Sequence, residues 1–268
     1  MAYPLYEVLS LSLNQWNGYS QVRSFVGFDN YVRLTQDGYL PSILGNTLIY
    51  GFGSALLQNV FGLGIALFLD RRLRGHSAVR AMVYLPVMIS GLIMGYIISL
   101  FVQYDGGVFN EILGIFGVAP VDFMANPTRA VLIIMAINVW QYTGVTMIIY
   151  LGGLQSIPHA LLESARLDGA GSWATFRHVT APLLVPAIST AVVLNLIGGL
   201  KLFDVIVSMT GGGPGFATHS LSSYISNQYF NAQKAGYSAA LGVLTFALIA
   251  TMSSLLTRMF RARQVEAL

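Results

Sequence analysis

The fold is decided by segments such as residues 130–153, AVLIIMAINVWQYTGVTMIIYLGG, which contain no charged side chain. A helix needs about 20 mostly apolar residues to cross a hydrocarbon core of about 30 Å. The segment lacks the two-residue alternation of a membrane β-strand, so its pattern indicates a helix. We therefore expect residues 130–153 to span a membrane.

Four further stretches are also long and mainly apolar, namely residues 43–69, 81–103, 182–203 and 237–260. Apolar residues make up 55% of the chain and charged residues only 9%, against about 25% charged in an ordinary globular domain. The chain has no cysteine, which excludes a disulfide framework and a thiolate metal site. The sequence predicts an all-α, polytopic membrane bundle.

The beginning of the chain is apolar over residues 3–13, but this stretch is too short to span a membrane. It has no basic region before it and no small-residue cleavage site, so a signal peptide is not indicated. We interpret it as the outer end of a spanning helix whose first half is absent, with an interfacial anchor as the alternative. Residues 1–42 are then the remnant of a first core helix and an outer segment, 43–260 the transmembrane domain with a loop at 154–181, and 261–268 a cytoplasmic tail.

The distribution of basic residues predicts the orientation, because cytoplasmic loops carry more Lys and Arg. One face holds nine of them, Arg71, Arg72, Arg74, Arg80, Arg166, Arg177, Arg258, Arg261 and Arg263. The other face holds five, Arg23, Arg33, Arg129, Lys201 and Lys234. The nine-base face is therefore predicted to be cytoplasmic, and segments 14–42, 104–128 and 204–236 to face outward.

No motif for catalysis or metal binding is found in the sequence. A GxxxxGK[ST] phosphate loop is absent, and the glycine-rich run 211–215 predicts a tight external turn. The four histidines form neither an i,i+4 pair nor HExxH, so metal binding is poorly supported. We expect no catalytic residue, no cofactor site and no metal site in this chain, and the scattered bases indicate no nucleic-acid partner.

Uncharged polar side chains lie inside the predicted spans, whose middles contain no Asp, Glu, Arg or His. That absence argues against an ion-coupled carrier, since such carriers use charged groups in the membrane. Neutral hydrogen-bonding groups beside aromatic rings suit a hydroxyl-rich solute. The alternative, favoured for any single residue, is that they hold helices together. The residues are Asn59, Asn138, Gln141, Tyr142, Thr143, Thr146 and Asn195.

The loop at residues 154–181 reads as a helix-turn-helix. Ser156 is predicted to cap a first helix with Pro158 in its first turn, and Gly169 and Gly171 to end it. Ser172 is predicted to cap a second helix over residues 173–180. The first helix has an apolar side made of Leu161, Leu162, Ala165 and Leu167. This side calls for a partner, and the alternative is that it packs under its own bundle.

The same loop carries a family resemblance. The run Glu163-Ser164-Ala165, followed by Asp168-Gly169-Ala170 and by Pro182, resembles the EAA loop of permease subunits of bacterial binding-protein-dependent ABC importers. Residues 27–31, 46–47, 203–204, 210–214, 217–218 and 236–240 resemble the carbohydrate-importing branch of that family, such as the maltose, glycerol-phosphate and multiple-sugar permeases. Two departures are Ser164 for the second alanine and Ala181 for a leucine before Pro182.

The resemblance implies a six-span permease fold of the type I importer kind, here with five full spans and a truncated first one. It implies that Glu163, Ser164, Ala165, Asp168 and Gly169 dock an ATPase subunit, with Glu163 as the charge contact, Ala165 as the close-packing residue and Gly169 as the turn. It also implies that the spans on either side of the loop line the solute path. The candidate residues are Gln141, Tyr142, Thr143, Thr146, Asn195, Gly198, Gly199 and Leu202.

The implied partners are a second permease subunit, two ATPase subunits that carry ATP and Mg²⁺, and an external solute-binding protein. The implied substrate is a sugar or polyol, and the implied location is the cytoplasmic membrane of a bacterium or archaeon, in contact with lipid. A solute channel or an ion-coupled secondary carrier is the alternative function. The helix-turn-helix argues against it, because a channel needs no ATPase-docking element.

Two local structures are also predicted. Lys201 and Asp204 are expected to pair at i,i+3 spacing near the outer end of a helix, with a simple interfacial anchor as the alternative. Residues 219–235 are expected to form an amphipathic helix with Leu221, Tyr224, Ile225, Gln228 and Tyr229 on one side. Its other side would carry Ser222, Ser223, Asn227, Asn231 and Lys234. We expect it to lie at the outer membrane surface, either bracing its own subunit or also receiving the binding protein.

Overall fold

The computed structural model describes residues 2–70 and 75–266 and is built almost wholly of helices. In the first half of the chain these are α1 (Ala2–Ser12), α2 (Asp29–Gln36), α3 (Leu40–Leu48), α4 (Ser54–Leu69), α5 (His76–Tyr84), α6 (Gly91–Val102) and α7 (Val108–Ile115). A two-residue hairpin, β1 (Asn14–Gln15) with β2 (Ser24–Phe25), follows α1. Arg71, Arg72 and Arg74 of the predicted cytoplasmic face lie outside the described residues.

The second half contains α8 (Pro127–Gln155), α9 (His159–Leu167), α10 (Ser172–Thr175), α11 (Ala181–Leu183), α12 (Val185–Leu200), α13 (Asp204–Met209), α14 (Leu221–Ser226) and α15 (Ala235–Glu266). Wide π-helical turns continue three of the helices at Ile49–Gly53, Phe176–Thr180 and Asn227–Asn231. The predicted all-α fold is confirmed.

Four stretches are long and apolar enough to cross a membrane, namely Leu40–Leu69, Pro127–Gln155, Val185–Met209 and Ala235–Arg261. They coincide with four of the five predicted spans. The fifth prediction, one helix over residues 81–103, is wrong in form. Instead α5 ends in a 3₁₀ turn at Leu85–Met88, and α6 starts afresh at Gly91.

Local chemistry explains this break. Pro86 lacks the backbone N–H that a continuing α-helix needs. Ser90 is extended and its hydroxyl accepts a hydrogen bond from the Ile93 amide at 3.4 Å, which caps α6. The chain therefore makes a broken pair of helices where hydropathy alone predicts a single span.

The described chain forms two compact units, and every long span contributes to both. The first unit contains the residues up to Gly51, Ser90–Met135 and Gly199–Thr251. Its apolar core joins α2, α3, α14 and α15 through buried side chains that include Leu34, Ile43, Leu221 and Leu241.

The second unit contains Phe52–Ile89, Ala136–Gly198 and the segment from Met252 onward. Its apolar core joins α4, α8 and α12 through Ala66, Met147, Leu151 and Ala191. Gly62 lets α4 approach α8 closely, because a Cβ there would lie 2.7 Å from the side chain of Thr146. Small residues at such crossings allow helices to pack by van der Waals contact in lipid.

Candidate functional site

Helix α9 forms the first half of the 154–181 loop, and it ends in a left-handed turn at Gly169. The Ala170 amide donates to the Ala165 carbonyl at 3.0 Å, and the Gly169 amide donates to the Arg166 carbonyl at 3.1 Å. This is the Schellman arrangement, which places the residue after the cap at positive φ. Gly169 has φ +80°, a conformation that costs other residues about 1–2 kcal/mol. The predicted break at Gly169 is confirmed.

The predicted caps of this loop are wrong. Pro158 occupies the cap position of α9 with no side-chain hydrogen bond, and Ser156 instead donates to the Gly153 carbonyl at the end of α8. The cap of α10 is Gly171, and Ser172 is its first residue. The second helix also does not stop at residue 180, because the turn Phe176–Thr180 leads directly into α11.

The residues assigned to ATPase docking lie together on α9 and its terminal turn. Glu163, Ser164, Asp168 and Gly169 are exposed, and Ala165 is half-buried. Part of the apolar side of the helix packs on its own bundle, and part remains free to contact a partner. Leu162 packs against the core of the second unit, whereas Leu161 and Leu167 are 43% and 88% exposed.

An exposed tryptophan adds to this surface. Trp173 on α10 is 71% exposed and stacks on Phe176 with ring centroids 5.7 Å apart. The sequence interpretation assigned it no role, although a tryptophan in a loop predicted to face water is itself a signal of a binding surface. The loop therefore presents a carboxylate, two leucines and an aromatic pair.

The residues predicted to line a solute path fall into both units. Within the second unit Asn195 Nδ2 donates to Thr146 Oγ1 at 2.8 Å, and Gln141 Nε2 donates to the Ile89 carbonyl at 2.8 Å. Thr143 donates to the Val139 carbonyl of its own helix. Tyr142 is half-buried and Gly198 is exposed.

The remaining two residues of that set belong to the first unit. Gly199 packs directly on the backbone of Tyr50, and the carbonyl of the buried Leu202 accepts a hydrogen bond from Ser220 Oγ at 2.5 Å. The structure therefore brings Thr146 and Asn195 into direct contact.

Further polar pairs join the helices of the second unit. Gln58 donates to the Asn138 side chain at 3.1 Å, and Tyr150 donates to Asn59 Oδ1 at 2.6 Å. Sequence reasoning named Asn59 and Asn138 but missed their partners, because spacing along one helix does not reveal which helix it meets. These contacts favour the helix-joining interpretation for the polar groups concerned.

The predicted Lys201–Asp204 pair is wrong. Among the side chains that the structure describes, the ion pairs are Arg23–Glu7 and Arg33–Asp29. Helix α12 ends at Leu200 and Asp204 begins α13, so the two residues do not share a helix. The i,i+3 geometry required an unbroken helix through residues 201–203.

The predicted outer helix is shorter than residues 219–235. It comprises α14 and the turn Asn227–Asn231. Leu221 and Tyr224 are buried as predicted, but Ser223 is buried too, because its hydroxyl and that of Ser220 form a reciprocal cap at the start of α14. Ser223 therefore does not belong to the polar side.

The predicted tight turn at residues 211–215 is confirmed and covers a buried histidine. Gly211, Gly212 and Gly215 have positive φ, and Gly212 lies against the ring of His219. The Nδ1 atom of His219 lies 2.9 Å from Ser223 Oγ. Burial lowers the pKa of His219 to about 4, so the ring is neutral at pH 7.

Comparison with known proteins identifies the family. Residues 58–265 match the model of the family described as binding-protein-dependent transport system inner membrane component. The trehalose/maltose transport system permease of Thermococcus litoralis is 34% identical over 97% of this chain and 88% of its own length. The lactose transport system permease of Rhizobium radiobacter is 34% identical over 95% of this chain and 87% of its own length.

A solved structure gives the same result. The structure of a bacterial alginate ABC transporter in complex with an alginate pentasaccharide-bound periplasmic protein contains a chain that is 26% identical, with a TM-score of 0.85, covering 98% of this chain and 89% of that one. The predicted resemblance to ABC importer permeases is thereby confirmed. This chain belongs to the family of inner membrane components of binding-protein-dependent transport systems, as a multi-pass, non-enzymatic transport subunit.

Proposed function

We propose that this chain is the membrane-spanning permease subunit of an ATP-driven importer of sugars or related polyols. It works in the cytoplasmic membrane of a bacterium or archaeon beside a second permease subunit, with two ATPase subunits that bind ATP and Mg²⁺. An external binding protein delivers the solute. The sugar transport named for its relatives of about one-third identity supports this substrate class.

The observation that carries the proposal is the exposed helix α9 with its glycine-terminated turn. Leu162 fixes the helix to the core of the second unit, while Glu163, Leu161 and Leu167 remain exposed. An exposed apolar patch beside a carboxylate is typical of a protein contact. We assign this surface, with Ser164, Ala165, Asp168 and Gly169, to docking of the ATPase.

The packing of Leu162 connects movement of the docked helix α9 to the spanning helices. Its contacts belong to the cluster in which α4, α8 and α12 meet. A force on α9 is therefore transmitted to three spanning helices through packed side chains, without a flexible linker between them. When ATP closes the ATPase pair, movement of α9 shifts these spans and changes the side from which the solute path is open.

The solute path is proposed to run along α8 and α12, past the polar residues named for it. In this conformation Thr146 and Asn195 satisfy each other, so we assign them a helix-joining role as well. Gly198 is exposed with open space around it, which suits close passage of a solute along the backbone.

Two pairs of matched variants test the docking surface in the complete importer, reconstituted in proteoliposomes. Glu163→Ala removes the carboxylate from α9, and Glu111→Ala removes another exposed carboxylate from α7. Gly169→Val strains the positive-φ turn, and Gly171→Val alters an exposed glycine with an ordinary φ of −68°. Both α9 variants are expected to lose ATP-dependent uptake of radiolabelled maltose, trehalose or lactose and capture of the ATPase subunit.

The controls are expected to retain uptake and ATPase capture within about twofold. Normal uptake and normal capture in both Glu163→Ala and Gly169→Val would show that α9 is not the docking element. Uptake by the wild-type chain in the absence of any ATPase would instead support the channel or carrier interpretation.

A further inference from the structure

A cavity of about 690 Å³ opens in the first unit, beside the starts of two spans. Its walls come from the end of α2 and the residues before α3, and from the turn Asn227–Asn231 and the residues before α15. These segments belong to those predicted from the arginine distribution to face outward. The volume lies within the range of about 300–1,000 Å³ that is typical of small-molecule sites.

Four side-chain amides line this cavity, those of Gln36, Asn227, Gln228 and Asn231. In the described part of the chain, none of the four donates or accepts a side-chain hydrogen bond with another protein group. Gln228 is the most informative, because it is only 7% exposed. Its amide atoms nevertheless remain accessible, so they face the cavity, where water or a ligand can pair with them.

The cavity also has an aromatic wall, which is fixed by a carboxylate. Tyr224 and Tyr237 both donate to Asp37 Oδ2, at 2.6 and 2.5 Å, and the Tyr39 amide donates to Asp37 Oδ1 at 2.9 Å. Burial acts to raise the pKa of Asp37, but the hydrogen bonds from the tyrosines and the backbone outweigh it and hold that pKa below its usual value. The carboxylate therefore stays ionised and holds the phenol rings in place.

Phe216 completes the aromatic wall in an unusual conformation. Its ring lies 4.8 Å from that of Tyr39 and 5.9 Å from that of Tyr224. Its φ is 68°, in the left-handed region that bulky residues rarely adopt. Strained residues of this kind concentrate at ligand sites.

These features select the chemistry of the ligand. An amide supplies donors and an acceptor together, so four free amides match a ligand whose groups also do both, as sugar hydroxyls do. The aromatic wall offers an apolar face for the C–H side of a sugar ring. The ammonium of Lys234, which forms no ion pair with the side chains that the structure describes, adds a donor. We propose that this cavity binds a short saccharide on the outer side of the permease, before it enters the solute path, an inference that rests on the proposed function.

Equilibrium binding tests this assignment directly. The complete importer in lipid nanodiscs, without ATP and without the binding protein, is titrated with radiolabelled maltose, trehalose and lactose. The double variant Gln228→Leu/Asn231→Leu is expected to weaken binding by about tenfold or more, because hydroxyl groups lose two partners. Asn231→Leu alone changes an exposed residue, so it tests the site even if the double variant does not fold. Gln103→Leu is the matched control, since Gln103 is exposed in the same unit outside the cavity.

Each outcome decides the assignment. No binding of any of the three sugars to the wild type, or equal binding by the wild type and the Asn231→Leu variant, overturns it. A photo-cross-linker on Asn231→Cys that captures the binding protein, with no sugar bound, assigns the cavity to protein docking and also overturns it. ATP-driven uptake is measured separately. If the variants keep both uptake and sugar binding, the cavity is not the sugar site, and the proposed function still stands. If the wild type binds sugar at the cavity but shows no ATP-driven uptake, the sugar site stands and the proposed function is wrong.

Discussion

Two sets of polar side chains in this protein have similar chemistry and opposite surroundings. In the second unit, amides and hydroxyls between the spanning helices donate to one another, as in Gln58–Asn138, Tyr150–Asn59 and Asn195–Thr146. The side-chain carbonyl oxygens of Gln58 and Gln141 are buried there without a partner among the described residues. At the cavity of the first unit, four amides find no partner in the protein that the structure describes. We infer that side-chain donors left without a protein partner, more than polarity itself, mark the proposed ligand site of this protein.

The surroundings of the two sets account for this difference. Inside the hydrocarbon core an unpaired polar group costs several kcal/mol, so helices meet where such groups can pair. Beside the starts of α3 and α15, water can satisfy an amide until a ligand replaces it. Three experiments test whether the cavity is a preformed binding site and whether the paired polar side chains of the second unit stabilise the fold.

The largest effect is expected from Gly212→Ala, which is expected to displace the His219 ring that packs on the cavity wall. A Cβ at Gly212 would overlap the ring of His219, and that ring packs on Phe216 with centroids 5.5 Å apart. Overpacking costs about 1–3 kcal/mol, and the positive φ adds about 1–2 kcal/mol. We expect a loss of about 3 kcal/mol in stability, read as a lower thermal unfolding midpoint in detergent, together with loss of sugar binding.

Gly215→Ala is the matched control, because Gly215 has φ +55° in the same turn but open space around it. It is expected to show only the cost of the backbone conformation. Equal losses in the two variants would show that contact with His219 does not support the wall.

The next effect concerns pH and the same histidine. His219 has a pKa of about 4 in the folded chain and about 6.5 when unfolded. Its folded pKa is depressed, so the folded state is favoured above pH 6.5 and loses stability as pH falls from there towards 4. Between pH 8 and pH 5 the expected loss is about 2 kcal/mol.

Thermal unfolding across this pH range measures the effect. His219→Gln is expected to flatten the dependence, whereas His159→Gln, at an exposed position on α9, leaves it in place. An identical pH profile in the wild type and in His219→Gln would contradict the assignment.

The sequence predicts this molecule unevenly, for physical reasons. Hydropathy located four spans, and the end of the helix before Gly169 followed from the glycine, because both depend on residues close together in the chain. The break at Ser90 and the end of α12 at Leu200 were missed, because apolar composition does not record where a helix stops. The cavity was missed for another reason. Gln36 and Asn231 are far apart in sequence, and only the folded first unit brings them to one cavity.

The smallest effect is expected from Tyr150→Phe, which tests the paired set. Tyr150 is 2% exposed and its hydroxyl donates to Asn59 Oδ1, which has no other donor among the described residues. Interhelical hydrogen bonds in membrane proteins are worth about 0.6 kcal/mol on average and at most about 1.7 kcal/mol, so we expect a loss of about 1 kcal/mol. Tyr96→Phe, at a site 62% exposed, controls for loss of a phenol hydroxyl.

Asn231→Leu extends the comparison to the cavity, where removing an unpaired amide is expected to change stability by less than about 0.5 kcal/mol. If Asn231→Leu destabilised the protein as much as Tyr150→Phe does, the cavity amides would be structural and the contrast between the two sets would be lost.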